Sequence, residues 1–280
     1  MIGRARRTAR LAVGRVLMIM TTPLRLAARG LIAVRPGLEP RLAEHAWLWQ
    51  PGWGRACHER LYRRPDPYGI GISEYEMAKY DLVVDVLEQI GAPRGRGRVL
   101  EVGCGEGLLS ARLADYAAEL VAVDISDAAV GRARIALADR PNVVVERRTL
   151  PLDMPAGSFD LVVCSDVLYY WEPRTFDRGL ERLVESLRPG GRLVLLHYRG
   201  DFGQAGTGDA VHDAARRRAL NDPELRHELS HTLRDAGPAG AGIRVDVLAR
   251  ATGLQTLRLP QQLHDSPAEA RLRTTEVHTS

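Results

Sequence analysis

From Gly97 onward, short apolar runs that end in a glycine or a carboxylate alternate with segments of helical periodicity. Strands are predicted over 98–102, 120–124, 142–146, 159–164 and 192–197, each a brief apolar stretch between turn signals. Helices are predicted between them over 108–118, 127–138 and 175–187. Ser126 offers the second an N-cap, and Pro189-Gly190-Gly191 stops the third. Repeated βα units of this kind imply a parallel sheet with right-handed crossovers. Past residue 200 the rhythm changes. A Gly-rich stretch leads to a helix over 209–220, and two alternating segments, 227–233 and 243–248, are joined by a Gly/Pro-rich loop. That pattern predicts a hairpin closing the sheet with an antiparallel strand. Upstream, 75–91 predicts one amphipathic helix, and 47–68 is irregular and rich in Trp, Tyr, Pro and Gly, as expected of a segment covering a ligand crevice.

Charge divides the chain. The net +4 arises because residues 1–38 hold eight Arg and no acid, which leaves 31 basic and 35 acidic residues in the remainder, a balance of −4. A mildly acidic body argues against a nucleic-acid partner. Residues 1–40 form a basic arm that alternates Arg with apolar residues, with no run long enough for a membrane span. It is expected to be a disordered tail, a weak membrane-surface contact, or a targeting-like or non-native extension. The division expected is thus 1–40 arm, 41–95 lid and leading helix, 96–252 core and 253–280 polar, frayed tail. Cys57, Cys104 and Cys164 are odd in number and widely spaced, which fits reduced thiols in a cytoplasmic protein and no zinc site.

The first strand–helix loop, Glu101-Val-Gly-Cys-Gly-Glu-Gly107, carries the chemistry. Gly103, Gly105 and Gly107 let the backbone turn sharply and approach a ligand. A dinucleotide fingerprint would require Gly at position 108, where the chain has Leu108. Glu101 and Glu106 would repel a pyrophosphate and favour a cationic ligand without phosphate, such as S-adenosylmethionine. Asp124, 23 residues beyond Glu101 at the end of the second strand, can accept both ribose hydroxyls. Residues 147–150 are expected to border the adenine. The cofactor-binding set is Glu101, Gly103, Cys104, Gly105, Gly107, Asp124, Ile125, Leu150 and Ser165.

Taken together, this loop, Val121-Ala-Val-Asp-Ile125, Phe159-Asp-Leu-Val-Val-Cys-Ser-Asp-Val-Leu-Tyr-Tyr170 and Leu187-Arg-Pro-Gly-Gly191 resemble a class I S-adenosylmethionine-dependent methyltransferase. More narrowly, Asp66-Pro-Tyr68, Ser73-Glu-Tyr-Glu-Met-Ala-Lys-Tyr80, Thr207-Gly-Asp-Ala-Val-His212 and Arg244-Val-Asp-Val-Leu248 resemble the nodulation protein S-like members. The resemblance covers roughly residues 65–250. It implies a doubly wound, seven-stranded, Rossmann-like α/β sheet of order 3-2-1-4-5-7-6, with a lid from the segment around Asp66 to Tyr80. It also implies cofactor contacts at Glu101, Gly103, Gly105 and Asp124. The name-giving members methylate the amine of a deacetylated chitooligosaccharide, so the expected reaction is N-methylation of an amino sugar or related amine.

In an open parallel sheet the ligand lies beyond the carboxyl ends of the strands. That rule gathers Ser165, Asp166, Tyr169, Tyr170 and His197 around the transferred methyl group. His197 is the expected general base, by position and intrinsic pKa, and Asp166 is expected to attract an amine or orient a hydroxyl. Tyr68, Tyr75, Tyr169 and Tyr170 are expected to line the small-molecule acceptor's pocket. Competing readings are an O-methyltransferase of a hydroxylated natural product, an NAD-dependent oxidoreductase, and a scaffold that keeps the fold without turnover.

Overall fold

In the computed structural model, Arg98–Val102 (β1) is buried from Val99 onward, as both faces of an inner parallel strand require. The structure describes residues 53–200, 204–234, 236, 240–252, 260–263 and 266–274. β1 pairs in parallel with Glu119–Asp124 (β2) on one side and Phe159–Ser165 (β4) on the other. Val143–Arg147 (β3) lies outside β2, and Leu187–Tyr198 (β5) outside β4, both parallel. Leu225–Leu233 (β6) and Ile243–Arg250 (β7) form the antiparallel hairpin, with β7 against β5. The sheet order is 3-2-1-4-5-7-6, the topology the resemblance implied.

Helices cover both faces. Arg55–Leu61 (α1), Glu74–Gln89 (α2), Leu108–Leu113 (α3) and Asp127–Ala136 (α4) precede Pro173–Glu185 (α5), Gly208–Asn221 (α6) and Pro267–Thr274 (α7). Leu82 and Val86 of α2 and Leu113 of α3 pack on Val99, Leu161, Val163 and Val194. Leu180 and Leu183 of α5 and Val211 and Ala215 of α6 cover Leu100, Val121, Val162 and Leu193 on the opposite face. Val130 and Ala133 of α4 close the β2–β3 edge against Ala122 and Val145. The period-2 alternation of each strand thus feeds two separate cores.

Ser126 and Ser73 cap α4 and α2 through their hydroxyls, which accept from Ala129 N–H and Glu76 N–H at 3.2 Å each. The helix predicted over 108–118 stops at Leu113 and continues as a 3-10 turn, Ala114–Tyr116. The tail over 253–280 departs from expectation within 267–274. There α7 buries Ala268 and Leu272 in the core formed with α2, and Arg271 pairs with Asp81 at 2.6 Å. Two apolar residues four apart suffice to dock a short helix that also carries Glu269, Arg271, Arg273 and Thr274. The basic arm over 1–40 and part of the hairpin loop lie outside the described residues. Among the described residues, no helix is long and apolar enough to cross a membrane.

Candidate active site

A cavity of about 820 Å³ lies at the carboxyl ends of the central strands, and α1 with the segment behind it lines it too. That segment is fastened to α4 and its N-cap at several points. Ser126 Oγ donates to Glu59 at 2.7 Å, Arg55 pairs with Asp127 at 2.5 Å, and Arg132 donates to the Tyr62 carbonyl at 2.6 Å. Glu106 joins the two halves, accepting from Asp66 N–H at 3.0 Å and from Arg132 Nε at 2.7 Å.

Gly103, Cys104, Gly105, Asp124, Ile125, Leu150 and Ser165 all line the cavity. Asp124 is nearly buried, and its two oxygens accept from Gly105 N–H at 3.0 Å and Ser126 N–H at 2.9 Å. Burial raises its pKa, and the backbone N–H groups and His58 offset this only in part. Each oxygen keeps a lone pair for a ribose hydroxyl. Thr149, Leu150 and Pro151 offer a largely apolar wall for a flat base beside it. Among the described residues, Ser165 Oγ is buried on the cavity wall without a partner, and so is Tyr75 OH. Unsatisfied buried hydroxyls are costly, so their presence marks where a ligand's polar groups belong. The lining therefore fits an adenosine derivative. Gly103 sits at φ 76°, and a Cβ there would come within 2.6 Å of Val167, so only glycine allows this turn.

The other half of the cavity is organised by Lys79, the chain's single lysine. Nearly buried, its ammonium bonds Glu76 at 2.6 Å and Asp166. Burial disfavours the charge on Lys79, but Asp166 and Glu76 outweigh it and hold the ammonium well above its ordinary pKa. Asp166 also accepts from Tyr169 OH at 3.0 Å and Tyr198 N–H at 2.7 Å. Burial opposes its charge too, yet Lys79 and His197 beside it leave its carboxyl below the usual range. Glu76 behaves differently: burial raises its pKa, and Lys79 does not fully offset this. Ser73-x-x-Glu76 has the form of a capping box, but Ser73 N–H bonds the Ile70 carbonyl at 3.4 Å and the Glu76 carboxylate turns to Lys79 and the cavity. Aromatic rings complete the wall: Tyr170 lies 4.9 Å from Trp53, 5.1 Å from His58 and 4.8 Å from Tyr169 between ring centroids.

Residues 100–193 match a family model described as a methyltransferase domain. In fold the chain is similar to the N-methyltransferase NodS from Bradyrhizobium japonicum, solved with S-adenosyl-L-homocysteine, with a TM-score of 0.60 at 21% identity over 69% of this chain and 95% of that one. Nodulation protein S from Azorhizobium caulinodans is 31% identical over 130 residues, 46% of this chain and 61% of that protein. Residues 100–193 are thus a methyltransferase domain, and the chain is similar to nodulation protein S in sequence and to NodS in fold. An uncharacterized methyltransferase of Mycobacterium bovis is 35% identical over 120 residues, covering 42% of this chain and 57% of its own length. These matches span about three fifths of the length of the curated relatives.

Three expectations for this methyltransferase fold need correcting. His197 does not line the cavity. It is fully buried, because the alternation of β5 places it on the face of Leu193 and Leu195, under α6. Burial and the neighbouring His212 push its pKa down to about 3, so it is no base for a substrate. Glu101 and Gly107 stand behind the cavity wall. The Glu101 carboxyl accepts from Ser110 Oγ at 2.5 Å, and a Cβ on Gly107 would come within 2.9 Å of Leu137, so that glycine serves helix packing. Glu106 is already paired with Arg132, and its charge does not by itself exclude a phosphate. Asp166, Tyr68, Tyr75, Tyr169 and Tyr170 do line the cavity. Sequence reasoning missed Glu76 and Lys79. The available signal was one Lys among 38 Arg, three residues from a Glu on a helix that also carries Tyr75.

Proposed function

We propose that the chain is an S-adenosylmethionine-dependent methyltransferase of a small-molecule amine, with an amino sugar as the leading acceptor class. The observation that carries the acceptor half is the Glu76–Lys79–Asp166 cluster on the cavity wall, where two carboxylates share one ammonium. When all three groups are ionised, that wall holds one surplus negative charge, which favours a cationic acceptor. S-adenosylmethionine, when bound, supplies an electrophilic methyl group on a sulfonium. Asp124 would hold the ribose hydroxyls, Leu150 the adenine, and the backbone at Gly103 and Gly105 would allow close approach. Asp124 ends β2 and Asp166 follows β4, with β1 between them, so the two subsites lie about 10 Å apart by strand spacing alone. The Lys79 ammonium, Tyr169 hydroxyl and Tyr198 N–H all bond Asp166, so that carboxylate positions its neighbours. Glu76, whose carboxylate pairs with Lys79 and whose pKa is raised by burial, is the group suited to take the proton an amine must shed before it attacks. Tyr68, Tyr75, Tyr169 and Tyr170 supply aromatic faces for a cation or a sugar ring.

The test is methyl transfer from labelled S-adenosylmethionine to glucosamine and a partly deacetylated chitooligosaccharide, with their N-acetylated forms as hydroxyl-only controls. Label is expected in the amines alone, and Glu76→Gln is expected to slow transfer at least tenfold, the low end of a general base's contribution. Transfer to the N-acetylated controls, or an unimpaired Gln variant, would overturn the amine assignment.

A further inference from the structure

Two motifs remain outside the chemistry above, Thr207-Gly-Asp-Ala-Val-His212 and Arg244-Val-Asp246. The fold brings both to His197, beneath the tyrosines of the cavity. His197, His212 and Asp246 are all fully buried. Leu168 N–H donates to His197 Nε2 at 3.2 Å, His197 Nδ1 lies 3.2 Å from His212 Nε2, and His212 Nδ1 lies 2.6 Å from Asp246 Oδ2.

The two ends of this chain dictate every proton in it. A backbone N–H can only donate, so His197 Nε2 must be bare and its proton must sit on Nδ1. That proton then points at His212 Nε2, which must accept, and the His212 proton is left on Nδ1 facing the carboxylate. Asp246 can only accept when ionised, and it is anchored by Arg244 Nε at 3.1 Å and His227 Nε2 at 2.5 Å. Burial disfavours the charged form of both His197 and His212, consistent with two neutral rings.

The acceptor end matters because Leu168 opens the 3-10 turn Leu168–Tyr170, whose residue before the turn, Val167, gives no side-chain cap. His197 takes that role from a neighbouring strand. The next two residues, Tyr169 and Tyr170, line the cavity, and the His197 ring meets Tyr169 edge-on at 5.2 Å. Gly208 makes the arrangement possible: a Cβ there would come within 2.4 Å of the Tyr198 carbonyl, so glycine lets α6 press onto β5 and set His212 against His197.

We propose that Asp246, His212 and His197 form a positioning relay whose one-way hydrogen-bond chain holds Leu168 N–H and thereby sets Tyr169 and Tyr170 at the acceptor end of the site. The acceptor role of those tyrosines rests on the proposed function, whereas the relay itself does not need methyl transfer to be observed.

The test uses the full chain with no acceptor. Long-range proton–nitrogen NMR is expected to show His197 and His212 both protonated on Nδ1, and a proton on His197 Nε2 would overturn the relay. Hydrogen exchange at Leu168 is expected to accelerate at least tenfold in His197→Leu, which removes the acceptor, and to return within threefold of wild type in His197→Gln, whose carbonyl can replace Nε2. If the ring were only core filler, Leu would serve as well as Gln, and unchanged exchange in the Leu variant or no rescue by Gln would overturn the proposal. Should the Leu variant not fold, the tautomers and the Gln variant still decide it. S-adenosyl-L-homocysteine affinity is expected to stay within twofold in folded variants, and a larger loss would mark general disruption and count against a local role. Wild-type protein that shows the tautomers but ignores S-adenosyl-L-homocysteine would sink the methyltransferase reading alone.

Discussion

Two buried carboxylates at neighbouring strand ends, Glu101 and Asp124, differ in what their surroundings give them. Asp124 receives two backbone N–H groups, whereas the Glu101 carboxyl receives the Ser110 hydroxyl. Burial therefore pushes Glu101 up to about 7, with the charge on Asp124 adding to the shift. In the unfolded chain a glutamate ionises near 4.3. Between those values the folded chain keeps a proton that the unfolded chain releases, so this residue's contribution to stability falls as pH rises from about 4 to 7. Glu101→Gln removes that dependence. In urea denaturation, the Gln variant is expected to gain about 2 kcal/mol on wild type between pH 5 and pH 8. A constant difference across that range would mean the carboxyl ionises normally in the fold.

At the scale of elements, the C-terminal helix α7 tests how the sheet is held. Leu272 is buried among α2 residues, and Ser266 and Arg271 bond Asp85 and Asp81 of that helix. Leu272→Ala is expected to cost at least about 2 kcal/mol in the same denaturation assay, the low end for a core leucine. A smaller loss would mean that α7 docks only loosely. The helix also shows where legibility ended. β1, β2 and β4 were readable because an inner parallel strand must be apolar along its length, and α4 because Ser126 caps it. α7 was hidden because a short helix on the rim needs only Ala268 and Leu272, and α1 because the irregular segment 47–68 gives no helical periodicity. His197 was misplaced for another reason. The strand-end rule gives the end of β5, but the face depends on register, and the period of two sends His197 beneath α6.

For the whole molecule, the sheet order sets the division of labour. β2, β1 and β4 lie side by side, so their carboxyl ends present Asp124, the Gly103 turn and Ser165 along one rim, while α1 and α2 bring Tyr62, Glu76 and Lys79 to the same cavity. The β5–β7–β6 end carries the buried histidines behind it. This rim is expected to hold S-adenosylmethionine and its thioether product, not a dinucleotide. Isothermal titration of the full chain with S-adenosyl-L-homocysteine and, separately, NADH tests it most directly. Saturable binding of the first and none of the second is expected, with affinity falling at least tenfold in Asp124→Ala as the ribose loses charge-assisted hydrogen bonds. Binding of NADH without S-adenosyl-L-homocysteine, or undiminished affinity in a folded Asp124→Ala variant, would contradict it.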